Sequence, residues 1–139
     1  MSQVSQDKFV AVLADDLPIG VAVNAGALLG VSMGRLFPQV VGPEVVDASG
    51  TTHPGISAHP LPVLKVPQDQ LRELTAKARA TPQITVVDFT EEARRSRTYA
   101  EYTERLGEVP TREQQVIGAV LHGPKTVVTS LTGDLPLYR

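Results

Sequence analysis

The chain of 139 residues contains no cysteine, and only six of its residues are phenylalanine or tyrosine. Without cysteine it can form no disulfide, no thiolate nucleophile and no thiolate metal site, which fits a reducing compartment. It has no unbroken run of eighteen or more apolar residues, and its first seven residues, MSQVSQD, carry neither the basic charge nor the apolar stretch of a signal peptide. These absences lead to the expectation of a cytoplasmic protein. Neither a P-loop nor a GxGxxG motif is present, so no nucleotide cofactor, and no cofactor of any kind, is expected. The net charge of -2 weighs against tRNA or duplex binding, which depends on Lys and Arg meeting phosphates. Arg94, Arg95 and Arg97 cluster locally, but Glu91 and Glu92 beside them read as a solvated helix face.

What is present is a globular composition, 42% hydrophobic and 20% charged, in a length that suits one domain, 1–139, with residues 1–7 expected to be flexible. Lys8 to Ala14 is a continuous apolar run, the pattern of a central strand covered on both faces. Asp15, Asp16, Pro18 and Gly20 end it, and Val21 to Met33 follows as a helix that is apolar nearly all round. Ala22, Gly26 and Gly30 recur at four-residue steps, a nearly side-chain-free face on which another backbone can approach. Asn24 interrupts this helix and is read either as a hydrogen-bonded structural bolt or as a ligand contact.

From Arg35 to Pro60 the chain makes an excursion rich in Pro and Gly, with a hairpin expected across Val45–Asp47 and Thr51–His53 around Gly50. His53 and His59 lie near Asp47, but their spacing fits no zinc pattern, and surface histidines with no bound metal are expected. Leu61 to Val66 reads as a second strand, Gln68 to Ala80 as an outer helix after Pro67, and Ile84 to Phe89 as a third strand. Asp88 lies at the carboxyl end of that third strand, where open α/β sheets place ligands. It reads equally well as a helix-capping carboxylate.

Thr90 with Glu91 and Glu92 is a helix start. Thr98 to Glu101 is a capping box that starts a second helix stopping at Gly107, with a break across Ser96 to Thr98. Tyr99 and Tyr102 share a face with Leu106, as packing or as a pocket mouth. Val116 to Leu121 is the fourth strand. His122, Gly123, Pro124 and Lys125 turn it into a last helix, a junction able to attract a phosphate or carboxylate, and the ordinary strand-to-helix turn is the plainer reading. The alternation of elements predicts a three-layer α/β/α domain around a four-stranded sheet.

Three stretches carry a family resemblance. KFVAVLADDLPIGVAVNAGALLG, VLKVPQDQLRELTAKA and VLHGPKTVVTSLTGDLPLY resemble, in order, the signature stretches of the peptidyl-tRNA hydrolases of the archaeal and eukaryotic class. DLP with Asn24, VDFTEEA, TYAEY and LTGDLPL are more similar still to the bacterial family called domain of unknown function 2000, over about Lys8 to Tyr138. The resemblance implies a peptidyl-tRNA hydrolase II-like fold, a mixed sheet with helices on both sides, and a homodimer.

It does not carry the catalysis across. The hydrolases' lysine and histidine fall at Gly20 and Ala27, and their glutamine at Asn24. Their acid is kept as Asp88, while the segment after it is replaced by the passage through Thr90 and Tyr102. Three readings follow. The first is a small-molecule hydrolase or transferase with Asp88 as acid or base, Asn24 orienting substrate, Asp16 nearby, and Lys125, Gly123, Thr90, Tyr99 and His122 holding an anionic ligand. The second is a non-catalytic homodimeric binding protein, and the third a residual peptidyl-tRNA hydrolase, disfavoured by the acidic charge.

Overall fold

The computed structural model describes residues 6–139. The sheet is built on strand β1 (Asp7–Ala14), whose apolar run lets it sit in the interior of the order β4-β1-β6-β5. Strand β4 (Val63–Val66) pairs parallel to β1, and β6 (Val116–Pro124) pairs antiparallel to it. Strand β5 (Thr85–Thr90) closes the far edge, antiparallel to β6 and therefore running the same way as β1. The short strands β2 (Val45–Val46) and β3 (Thr52–His53) form the separate hairpin the sequence predicts, with Gly50 at φ +85° in its turn. The Asp47 carboxylate accepts the Ser49 and Thr51 N–H groups and bonds His53 at 2.9 Å. The His53 bond first, then the Thr51 and Ser49 N–H groups, hold the Asp47 carboxyl below its usual range.

Alternation along β1 divides the core. Val10, Val12 and Ala14 pack with Leu64, Val66 and Leu121 beneath helices α2 (Gln68–Arg79) and α5 (Lys125–Thr132), which contribute Leu71, Ala78 and Val128. Phe9, Ala11 and Leu13 point the opposite way, onto helix α1 (Ile19–Leu36). The described residues thus form a mixed α/β structure with one four-stranded mixed sheet and five α-helices, α3 (Glu91–Arg94) and α4 (Tyr99–Gly107) following β5.

Helix α1 buries one stripe of four residues, Ala22, Ala25, Leu29 and Met33. Counting unbroken apolar runs undervalues this helix, which by length and composition would suffice to cross a bilayer. The face bearing Gly26 and Gly30, expected to admit a close backbone, has none against it among the described residues: apart from its chain neighbours and the helix's own backbone, no atom lies within 4 Å of a Cβ built at either glycine.

Both threonine caps form, and the return bond of the expected capping box falls one residue before the N-cap. The Thr90 hydroxyl accepts the Ala93 N–H, and the Thr98 hydroxyl accepts the Glu101 N–H at 3.1 Å while the Glu101 carboxylate accepts the Arg97 N–H. Several boundaries differ: α1 is longer at both ends than the expected Val21–Met33, and β4 starts two residues after Leu61. Residues 1–5 lie outside the described residues, but Asp7, expected in the flexible leader, is already in β1 and opposes Pro124. Strand β6 likewise runs through His122 and Gly123, because Phe9 and Lys8 pair with them; the junction read as a turn is strand.

Candidate functional site

The sequence-predicted site residues lie at two opposite ends of the sheet. β1 and β5 are parallel, so the carboxyl end of β1, followed by Asp16, and that of β5, with Asp88 and Thr90, share one end. Beside the β5 edge lies a groove of about 550 Å³ lined by Asp88, Ser96, Tyr99 and Tyr102, with Leu28 and Ser32 of α1 as its opposite wall. Asp88 and Tyr99 are brought together there, as the crevice reading required. Asn24 precedes Leu28 by one helical turn on the same face.

The roles differ from expectation. Asn24 and Asp16 are both exposed, so Asn24 needs no buried partner and is no structural bolt. Thr90 is buried, with its hydroxyl committed to capping α3. Asp88 caps no helix: its carboxylate is bonded at 2.5 Å by the Arg79 guanidinium, from the last turn of α2. The Tyr99 ring is 80% exposed and stands edge-on to Tyr102 with centroids 5.4 Å apart. Burial, then the negative charge of Asp88, pushes the Tyr102 phenol above its ordinary value, so the groove presents it as a neutral hydrogen-bond donor. One Glu92 carboxylate oxygen is buried without a hydrogen-bond partner among the described residues, a feature no local sequence signal announces.

His122, Gly123 and Lys125 lie toward the other end, beside the start of β1; Asp88 stands opposite Ala119, so by the rise of a strand His122 is about 10 Å and Lys125 about 20 Å further along. Lys125 therefore cannot hold an anionic group of a ligand whose reacting bond faces Asp88. Gly123 is buried against Ile84 and Gln83 and packs rather than binds. The His122 ring lies against Phe9 and Phe37, at centroid distances of 4.5 and 3.9 Å, and its Nε2 bonds the Asp7 carboxylate at 3.0 Å. This His–Asp pair was invisible in the sequence because Asp7 and His122 are 115 positions apart. His59 is also drawn here, its ring centroid 6.0 Å from that of Phe9, while His53 stays in the hairpin with Asp47. No cluster of three His, Cys, Asp or Glu side chains able to hold a metal occurs among the described residues.

Two cavities flank His59. One, of about 180 Å³, is walled by Met33, Val40, Val41 and Leu61; the other, of about 260 Å³, by Asp7, Lys8 and Lys125.

A solved structure, the protein of unknown function Atu0240 from Agrobacterium tumefaciens strain C58, superposes with a TM-score of 0.89 at 20% identity, covering 96% of this chain and 98% of that one. At that identity the likeness speaks for the fold. No curated protein matches. The model of the family described as protein of unknown function DUF2000 matches residues 7–139. With 133 of the 139 residues inside that match, the chain belongs to the DUF2000 family.

Proposed function

We propose that this protein is a cytoplasmic, homodimeric binding protein that takes a small ligand in the β5 groove, on a three-layer, peptidyl-tRNA hydrolase II-like framework that has lost the hydrolase's chemistry. The observation that carries this reading is the 2.5 Å bond from Arg79 to Asp88. The one carboxylate kept from the hydrolase pattern is tied to a guanidinium, and a candidate base must reach the proton it abstracts. What the groove offers instead is two phenols, Ser96 and a stacking surface, which suit binding. The enzyme reading, a hydrolase or transferase with Asp88 as base, requires Arg79 to release it. Against tRNA stands the charge: Arg79, Arg94 and Arg105 are each consumed by an acid of the same chain, Asp88, Glu91 and Glu101.

The test is incubation with N-acetylaminoacyl-tRNA beside a competent hydrolase. The control alone is expected to release the amino acid. Cleavage by the wild type that Asp88→Asn abolishes would overturn the binding reading. Because the ion pair is partly exposed, Asp88→Asn should change stability by about 1 kcal/mol or less, so lost turnover would not reflect unfolding.

The dimer rests on α1. Ile19, Val23 and Val31 lie at four- and eight-residue steps, 83, 67 and 73% exposed, on a helix that carries no charge before Arg35. A second copy of the same face fits a two-fold contact, in which the same patch on each copy faces the other. Val23→Glu sets two carboxylates against each other there. Light scattering should show the wild type at twice 14.9 kDa and the variant at the monomer mass. A monomeric wild type, or a variant that stays dimeric, would remove α1 as the interface.

A further inference from the structure

We infer that the cleft at the amino-terminal end of β1, separate from the β5 groove, binds a small amphipathic anion: a short aliphatic chain ending in a carboxylate or phosphate. Phe9, His59 and Pro60 line both of its chambers, which therefore lie side by side. The inner chamber is walled mostly by hydrocarbon, with Ser57 and His59 its polar side chains, and its roof on α1 is Gly30 and Gly34, where a built Cβ finds no atom within 4 Å. Missing side chains thus leave the room an aliphatic chain would fill. The outer chamber is lined by two lysines, Lys8 and Lys125. Lys8 Nζ bonds only the neutral Thr129 hydroxyl, at 3.3 Å, and Lys125 has no acid partner among the described residues. Asp7, the acid in this chamber, is already bonded to His122. With one carboxylate against two lysines, the chamber keeps a net positive charge for a ligand.

The wall is built in advance. The Ala58 N–H donates to the Val40 carbonyl and the Gly42 N–H to the Ile56 carbonyl, both at 2.8 Å, and the Ser57 hydroxyl donates to the His59 carbonyl. A preformed pocket spares a ligand the entropy of ordering its walls. The chemistry also rejects alternatives. A cation would meet two lysines against one carboxylate, and a sugar would find only Ser57 and His59 as polar side chains in the inner chamber. Each chamber alone is small, and a ligand spanning both would occupy a volume within the range of ordinary metabolite sites.

Calorimetric titration of the full chain tests this with octanoate and octyl phosphate, against acetate, which lacks the chain, and octylamine, which reverses the charge. Saturable binding is expected for one or both eight-carbon anions, at least about tenfold tighter than for either control. The tighter of the two identifies the head group. Lys125→Glu, an exposed substitution, and Gly30→Leu, which fills the inner chamber from a helix position with open space, should each weaken binding about tenfold or more. The inference is overturned if neither anion titrates at millimolar concentration, if octylamine binds as well as octanoate, or if both variants bind as the wild type does.

Discussion

Leu29→Ala is expected to remove about 3 to 4 kcal/mol of stability, one of the two largest effects argued for this chain. Of the four residues α1 buries, two are alanines, so the helix is held to the sheet mainly by Leu29 and Met33. Leu29 is 2% exposed and belongs to the cluster that includes Phe9, Ile117, Val120 and Phe89. Truncating it leaves a cavity bounded by rigid strands on one side and by a helix with little side chain to collapse on the other, which puts the cost in the upper part of the usual leucine range. A domain of ordinary stability, about 5–15 kcal/mol, would lose a large fraction of its margin. Leu28→Ala is the control. One position away and 44% exposed, it should cost about 0.5 kcal/mol or less. Urea unfolding at fixed protein concentration reads both as a shifted midpoint with unchanged slope. A Leu29→Ala cost no greater than that of Leu28→Ala would mean that α1 is held by something other than its buried stripe.

Which features the sequence shows follows from how local their causes are. The β1 run, the Thr98 cap and the Gly50 turn are each written within about eight neighbouring residues, and each forms where expected. The end of β6 is different. HGPK reads as a turn until Asp7, Lys8 and Phe9 arrive from the far end of the chain to pair with it. Helix α1 hides its orientation in another way. With apolar residues on every side, its periodicity cannot say which face meets the sheet, and the placement of Asn24 depends on that choice.

The site residues obey the same rule. That Asp88 stands at a strand end could be read locally, but its partner Arg79 lies on the helix before, among residues that look like a solvated face. His59 was read as a surface histidine beside His53, whereas the chain carries it over to Phe9 and into the wall of the cleft. A site assembled by chain crossings leaves no spacing to find.

The other large effect is expected at Gly55, where a short connection is pinned to its neighbour. A Cβ built there falls on the Gly42 carbonyl oxygen, 2.7 Å from the Gly42 carbonyl carbon and 3.2 Å from the Pro43 oxygen, all of it backbone that no rotamer change can move. Gly55→Ala must lift the segment away, breaking the 2.8 Å bonds from Gly42 N–H to the Ile56 carbonyl and from Ala58 N–H to the Val40 carbonyl. At about 1 kcal/mol for each bond, with the strain added, the cost should be about 2–3 kcal/mol. Two other glycines show that the effect is not one of glycine in general. Gly50→Ala meets open space but must hold φ +85°, at a cost of about 1–2 kcal/mol. Gly30→Ala, in open space inside a helix, should stabilise by about 0.5–1 kcal/mol. Thermal unfolding of the three variants should therefore rank Gly55→Ala lowest and Gly30→Ala above the wild type. Hydrogen exchange in Gly55→Ala should speed up at the Gly42 and Ala58 amides while β1 stays protected, because the sheet does not depend on this wall. If Gly55→Ala proves no less stable than Gly50→Ala, the segment is free to move, and the preformed wall that the anion cleft requires does not exist.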